Sequence, residues 1–342
     1  VPKNIPSYDL STVLEGPDPA PLLALNFGFA RARVLSAALE LGVFTELARA
    51  PRTSAALAGA LRCDGEAVRR LLDALTELGL VRGDDASGRE VTELSRAHLV
   101  EGGPGFLGDH FAEVLAQWDS WGGLTDLVRS GRRGGDLGDP GARGLHRGMF
   151  GGAFALAARA ATAVVEALRP APVGRVLDLT AGGGEWGIAL AVSDPTARVT
   201  AHDDLSLLAG ARARVAELGL LDRFDFVPAD FDRPPFPDGS FDTVVMAQAG
   251  RFAGPAAAGR LIQECARVLR PGGTLLIADV MRPAPGEPTL SRSMLDLSLL
   301  VNTTEGGLPE PDEYLARMEK SGVTAKESVT RGLVTALTGE RR

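Results

Sequence analysis

Cysteine is nearly missing from this chain: Cys63 and Cys265 are the two in 342 residues. Both lie in apolar helical patterns, Ala-Leu-Arg-Cys and Gln-Glu-Cys-Ala. Two buried free thiols are therefore expected rather than a disulfide, which fits a reducing, cytoplasmic setting. Histidine is scarce too, at His98, His110, His146 and His202. These four and the cysteines form no cluster at metal-ligand spacing, so no metal is expected, and no Ser-His-Asp or Cys-His constellation stands out. An excess of positive charge is also lacking: 36 Lys and Arg face 44 Asp and Glu, for a net charge of -8. A protein that grips phosphate backbones needs clustered cations, so nucleic acid is not an expected partner. No run of about 18 apolar residues is available to span a bilayer. The opening Val-Pro-Lys-Asn-Ile-Pro-Ser-Tyr lacks the apolar centre of a signal peptide, so no membrane partner is expected either. With 45% hydrophobic residues and this length, the chain can bury a large core, in two domains rather than one.

The amino-terminal third is helical. Between Pro21 and Leu41, residues Leu22, Leu23, Leu25, Phe27, Phe29, Val34, Leu35 and Leu39 cover too much of a helix for one domain face to satisfy, which implies a partner helix. Thr53 is placed to cap a short helix from Ser54 to Leu61. Asp64 is placed to cap a second, carrying Val68, Leu71, Leu72, Leu75 and Leu78 and stopping at Gly79. Leu80 to Arg82, the polar turn Gly83 to Gly88 and Arg89 to Thr92 read as a two-stranded wing. Such a winged helix suggests DNA binding, yet Asp64, Glu66, Arg69, Arg70, Asp73 and Glu77 balance their charges and leave the second helix no basic face. Packing between two subunits suits the apolar first helix better. Residues 104–168 read as helical, interrupted by the Gly- and Arg-rich loop Ser130 to Gly144.

From Arg175 strands and helices alternate. Strands are expected at Arg175–Thr180, Arg198–Asp203, Phe224–Ala229, Phe241–Ala247 and Thr274–Val280, then a helix at Pro311–Lys320 and a closing hairpin of Val323–Ser328 and Gly332–Leu337. This calls for a mostly parallel sheet with ligands at the carboxyl ends of its strands. The first strand runs into Gly182-Gly183-Gly184-Glu185-Trp186-Gly187 and then a helix, with Gly182, Gly184 and Gly187 at G-x-G-x-x-G spacing. Missing β-carbons there let backbone approach a ligand closely. Asp203 follows about 20 residues on, at the end of the next strand, where a carboxylate accepts both hydroxyls of a ribose. A nucleoside-type cofactor is the expected ligand.

Four stretches together carry a resemblance over almost the whole chain: the Leu22 to Gly79 pattern, Val176-Leu-Asp-Leu-Thr-Ala-Gly-Gly-Gly-Glu-Trp-Gly187, Arg267-Val-Leu-Arg-Pro-Gly-Gly-Thr-Leu-Leu-Ile-Ala-Asp279, and Leu299-Leu-Val-Asn-Thr-Thr-Glu-Gly-Gly307. The chain resembles the S-adenosyl-L-methionine-dependent small-molecule O-methyltransferases of plants and of bacterial natural-product pathways. The resemblance implies an α/β fold: a Rossmann-like class I methyltransferase domain with an N-terminal all-α, winged-helix dimerisation domain. It divides the chain into that dimerisation domain at 1–103, a helical linker contributing to the substrate cavity at 104–168, and the catalytic domain at 169–342. It further implies a homodimer formed through the N-terminal helices, and S-adenosyl-L-methionine as cofactor with S-adenosyl-L-homocysteine as product. Asp178 and Gly182, Gly183 and Gly184 then surround the methionine part, Asp203 takes the ribose, Asp230 and Phe231 flank the adenine, and Gln248 lies on the cofactor side. The expected activity is methylation of a hydroxyl on an aromatic or polyketide-like molecule of secondary metabolism. On the acceptor side Trp118, Met149, Phe150, Met294 and Asn302 are the candidates, although apolar residues at this spacing also suit a core.

One stretch departs from the family's pattern. The segment after the fourth strand usually supplies a histidine that takes the acceptor's proton, but here it reads Met246-Ala-Gln-Ala-Gly-Arg-Phe252. Gly250 or Arg251 takes that place, and neither is a general base at neutral pH. Three readings follow. The acceptor arrives already ionised and Arg251 orients its anion; or His146, His110 or Glu305 replaces the base; or the fold catalyses a non-methylating step such as decarboxylation, hydroxylation or cyclisation.

Overall fold

In the amino-terminal unit, local capping and apolar spacing set the elements. The computed structural model describes residues 16–133, 154–169, 173–228, 234–283 and 290–342, and the chain divides into units Val1–Glu101 and Gly102–Arg342. Helices α1 (Ala20–Asn26) and α2 (Gly28–Glu40) are separated at Phe27, so the apolar stretch read as one helix is broken. Leu22, Leu23, Leu25, Phe27 and Phe29 are 54 to 78% exposed within the chain, an apolar surface that a lone helix does not normally show to water. No single described helix is long and apolar enough to cross a membrane; α1 and α2 reach that length and composition only as a pair bent by 40°.

Helix α3 (Val43–Arg49) follows a left-handed Gly42. The Thr53 hydroxyl accepts from the Ala56 amide to start α4 (Ser54–Leu61), and the Asp64 carboxylate accepts from the Ala67 amide to start α5 (Gly65–Glu77), the two caps the sequence places there. Helix α5 buries Val68, Leu72 and Leu75. Strands β1 (Val81–Asp84) and β2 (Gly88–Val91) pair antiparallel, Val81 opposite Val91, and α6 (Glu93–His98) starts on a Thr92 cap. On α5 the cations are taken up locally: Arg69 pairs with Glu66 and Asp73, and Arg70 with Glu66. Cys63 departs from expectation, because α4 ends at Leu61 and the thiol is partly exposed; Cys265 is buried, and both are free.

The second unit begins with the short helices α7 (Gly108–Ala116), α8 (Trp118–Gly122) and α9 (Leu124–Ser130), then α10 (Phe154–Leu168). Alternation follows: β3 (Arg175–Asp178), α11 (Glu185–Ser193), β4 (Arg198–Asp203), α12 (Leu205–Glu217), β5 (Phe224–Pro228), β6 (Phe241–Ala247), α13 (Gly250–Val268) and β7 (Leu269–Val280). Helices α14 (Leu290–Asn302) and α15 (Pro311–Lys320) precede the hairpin β8 (Val323–Arg331) and β9 (Val334–Arg341). The seven strands lie in the order β5-β4-β3-β6-β7-β9-β8, parallel from β5 to β7, with β9 antiparallel to both β7 and β8.

Strand side chains alternate between two apolar layers, as a sheet covered on both faces requires. Val176 and Val245 join Trp186, Leu190 and Val164 on one face. Leu177, Val244 and Met246 join Ile262, Cys265 and Tyr314 on the other. The chain leaves β3 for β4 on one side and later inserts β6 on the other, so the β3/β6 boundary is the topological switch point where such sheets bind ligands.

Candidate functional site

The loop after β3 occupies that switch point. Gly182 and Gly184 have φ of +54° and +88°, which a residue with a β-carbon adopts only under strain. Gly187 is needed for another reason: a β-carbon there would lie 2.9 Å from Val199 Cγ1 and 3.1 Å from Asp178 Oδ2. Its bareness lets its amide donate to Asp178 Oδ2 at 2.8 Å, tying the start of α11 to the end of β3.

Every amide of the triple-glycine run already has an acceptor in the protein. Gly182 donates to Asp203 Oδ2 at 2.8 Å, Gly183 to Glu185 Oε2 at 3.1 Å, and Gly184 to the Ala181 carbonyl at 2.7 Å. A loop that binds a dinucleotide offers those donors to a diphosphate. Here the side chains of Asp203 and Glu185 already occupy two of them.

Three buried acids gather around this loop. Burial is the main cause raising Asp178 to about 7, Glu185 to about 8 and Asp203 to about 6; the amide hydrogen bonds oppose the rise. Among the described residues, Asp178 Oδ1 and the Trp186 indole N–H are buried without a hydrogen-bond partner. Native proteins rarely leave such groups unmet unless a ligand or water meets them. An amino acid carrying a cation, attached to a nucleoside, fits this donor and acceptor set. Asp178 and Glu185 would hold its charged end, and Asp203 stands at the end of β4 for the sugar. His202 beside it belongs to the core: its Nδ1 donates to the Val227 carbonyl at 2.9 Å, its ring meets Phe236 edge-on, and burial lowers its pKa.

Beyond β6, Gln248 adopts a left-handed φ of +57° and donates its amide to the Ala278 carbonyl. Its side-chain oxygen accepts from Arg251 Nη2 at 2.9 Å. Arg251 is buried, and its Nη1 pairs with Asp279 Oδ1 at 2.5 Å while its amide donates to Asp279 Oδ2. The Tyr314 hydroxyl donates to the same Oδ2 at 3.3 Å, and burial is the main cause raising its pKa. Any β-carbon on Gly250 would fall 1.6 Å from that hydroxyl. The structure thus makes Gly250 and Arg251 two parts of one buried lock joining the start of α13 to β7 and α15.

Asn302 is partly buried, its amide donating to Gln117 Oε1 at 2.8 Å and to the Ser298 carbonyl. Trp118 on α8 and Met294 on α14 are about half exposed, at 45 and 46%. Glu305 is exposed and lies against Gly254, the left-handed break in α13. His146, Met149, Phe150, Asp230 and Phe231 lie outside the described residues. Glu185, Asp279, Tyr314 and Gln117 are absent from the sequence-derived site. For Glu185 a signal existed, an acid inside a glycine turn. The others reach their places through contacts 28 to 185 residues apart, which no local pattern reveals.

Comparison with known proteins shows the family. Residues 176–273 match a family described as a methyltransferase domain, and residues 23–101 match an O-methyltransferase dimerisation domain. Mouse acetylserotonin O-methyltransferase is 30% identical over 335 residues, covering 88% of this chain and 82% of that protein. A 3-hydroxy-5-methyl-1-naphthoate 3-O-methyltransferase of Streptomyces sahachiroi is 26% identical over 292 residues, covering 83% and 84%. The crystal structure of human N-acetylserotonin methyltransferase in complex with S-adenosyl-L-methionine superposes with a TM-score of 0.77 at 22% identity, covering 99% of each chain. The chain belongs to the S-adenosyl-L-methionine-dependent small-molecule O-methyltransferases, with a class I methyltransferase fold and a dimerisation domain. It is a methyltransferase whose cofactor is S-adenosyl-L-methionine, and these relationships do not favour the non-methylating alternative.

Proposed function

We propose that this enzyme methylates a hydroxyl of an aromatic or polyketide-like small molecule in secondary metabolism, on an acceptor that arrives already ionised. The Arg251–Asp279 pair carries this reading. The guanidinium stands where relatives are expected to hold a base, and Asp279 already balances its charge inside the protein. It therefore neither removes a proton nor has its charge free for an anion. Arg251 is a positioning residue.

The bound cofactor supplies an electrophilic methyl carbon: the carbon–sulfur bond breaks as the oxygen–carbon bond forms. The protein's part is to align the oxygen and exclude competitors, and positioning alone provides a large share of such a rate. Asp178 and Gly182 to Gly184 are assigned to the methionine part, Asp203 to the ribose, Asp230 and Phe231 to the adenine, and Gln248 to the cofactor side. Trp118, Met149, Phe150, Met294 and Asn302 are assigned to the acceptor side, which suits a flat apolar molecule like the naphthoate named for the Streptomyces relative. His146, His110 and Glu305 belong to the competing reading, in which a side chain takes the proton of a neutral acceptor. A homodimer formed through α1 and α2 completes the proposal, with partner side chains covering the exposed leucines and phenylalanines.

The full chain, incubated with S-adenosyl-L-methionine and a series of hydroxylated aromatic acids of graded acidity, is expected to yield methyl ethers by mass spectrometry. The rate at fixed pH should rise with the fraction of acceptor ionised. Products lacking the added methyl group would overturn the reading. Equal rates across the series would overturn the ionised acceptor.

A further inference from the structure

Gln248 is the first residue beyond β6, on the flank of β3 opposite to β4. Thr180, at the entry to the glycine loop, is joined both ways to the residue before it: the Thr180 hydroxyl donates to the Ala247 carbonyl at 2.9 Å and accepts the Ala247 amide at 3.0 Å. The glycine loop and Gln248 therefore leave the sheet side by side, with Asp203 across the loop at the end of β4. The φ of +57° at Gln248 is one that a residue with a side chain keeps only where its surroundings impose it, and such residues gather at functional sites. The half-buried side chain has one fixed direction. Arg251 Nη2 carries only donors, so the atom meeting it at 2.9 Å is the amide oxygen, and the amide nitrogen points away. Among the described residues nothing accepts from that nitrogen. Arg251 is itself held on several sides: Nη1 pairs with Asp279 Oδ1, its amide donates to Asp279 Oδ2 at 3.1 Å, and its carbonyl accepts the Gly307 amide at 2.9 Å. The charged and titratable groups of this cluster are Arg251 of α13, Asp279 of β7 and Tyr314 of α15, with Glu305 against Gly254 further along α13.

We propose that the Gln248 carboxamide N–H receives the ionised oxygen of the acceptor and turns it toward the glycine loop, with Arg251 holding the amide in that orientation. The inference deepens the ionised-acceptor reading above and rests on it. With the ribose assigned to Asp203 on β4 and the methionine part to the loop after β3, the strand order β4-β3-β6 puts Gln248 on the flank left for the acceptor. An amide nitrogen offers donors and takes no proton, so it receives an anion and leaves a neutral hydroxyl unactivated. The guanidinium on its oxygen polarises the amide and strengthens its N–H as a donor. Negative charge on the acceptor oxygen falls as the oxygen–carbon bond forms and the carbon–sulfur electron pair passes to sulfur, and no proton moves. The donor therefore acts by recruiting the ionised form and fixing its direction, not by speeding the bond exchange through charge. Gln248 selects the acceptor's ionisation state, and Arg251 positions Gln248.

The test is the pH dependence of kcat and kcat/KM for full-length wild type, Gln248→Glu and Gln248→Asn. The substrates are S-adenosyl-L-methionine and a hydroxylated aromatic acid of the series above whose hydroxyl ionises within the working range, and S-adenosyl-L-homocysteine is titrated calorimetrically alongside. Glutamate keeps an oxygen for Arg251 but puts an acceptor where the donor was; asparagine tolerates the left-handed backbone and keeps a donor on a shorter arm. Gln248→Glu is expected to lower kcat/KM about 10- to 100-fold and to change S-adenosyl-L-homocysteine affinity less than about twofold. The acidic limb of its kcat profile, which reports the bound acceptor, should move up by about one pH unit or more. Gln248→Asn should move that limb the same way but less, and decides alone if the glutamate variant does not fold. A kcat limb that stays in place, whether or not the rate falls, would overturn the proposal. So would a loss of S-adenosyl-L-homocysteine affinity as large as the loss of kcat/KM, which would make Gln248 a cofactor residue. A wild type that methylates no acceptor of the series would overturn the ionised-acceptor reading itself, which keeps the two failures apart.

Discussion

Asp203 ties two functions together at the residue scale. One oxygen accepts the Gly182 amide and the other the Asp204 amide, so the acid sets the loop and presents its remaining lone pairs at the end of β4. Replacing it with alanine is expected to weaken S-adenosyl-L-homocysteine by about 1 to 3 kcal/mol, the cost of leaving sugar hydroxyls unpaired. Unchanged affinity in a titration would remove the ribose assignment. Arg251→Met leaves Asp279 buried without its cation and is expected to destabilise the fold by about 3 to 5 kcal/mol in urea unfolding. A loss below about 1 kcal/mol would show that the pair is not the lock described. The raised pKa values of Asp203, Asp178 and Glu185 have a further sign. A carboxyl whose folded pKa lies above its unfolded value contributes stability present below the ordinary carboxylate range, and this is lost as pH rises through about 6, 7 and 8. The ligand-free protein should melt lower at pH 8.5 than at pH 5.5, and Glu185→Gln should reduce that drop by about 2 to 4 °C for each kcal/mol regained. A melting temperature that climbs over this range would contradict the carboxyl account.

At the scale of elements, the sequence was most readable where the cause is local. Thr53 and Asp64 cap the helices they precede, and the expected strands Arg198–Asp203 and Phe241–Ala247 keep those limits, because each is a short, nearly continuously buried run whose signal lies within the segment. The first strand closes earlier than read, at Asp178 rather than Thr180, since Leu179 and Thr180 already enter the glycine turn. The break at Phe27 left no proline or glycine signal at the kink, only Gly28 after it. The Arg251–Asp279–Tyr314 lock was beyond reach, as it joins residues far apart in the chain. Helix α13 carries its own test. Gly254 combines φ of +75° with a place where a β-carbon would lie 2.6 Å from Glu305 Cβ. Gly254→Ala is expected to cost about 1 to 3 kcal/mol from backbone strain. A neutral result in thermal unfolding would mean that the kink relaxes freely.

At the scale of the molecule, the amino-terminal unit carries exposed apolar side chains on α1 and α2, and the second unit carries the glycine loop. Among the described residues no group of three or more His, Cys, Asp or Glu side chains is placed to hold a metal ion. Joint substitution of Leu22 and Leu25 by aspartate puts charge into the surface assigned to the partner, and light scattering should then report monomers. Dimers that persist would place the subunit interface elsewhere.

The glycine loop with its flanking acids holds a sulfonium nucleoside rather than a dinucleotide. Titrating the full-length protein with S-adenosyl-L-homocysteine and with NAD, side by side in a calorimeter, tests it most directly. Saturable binding of the former at one site per chain, with no heat from the latter, is the predicted result; tight NAD binding with none of the thioether nucleoside would contradict it.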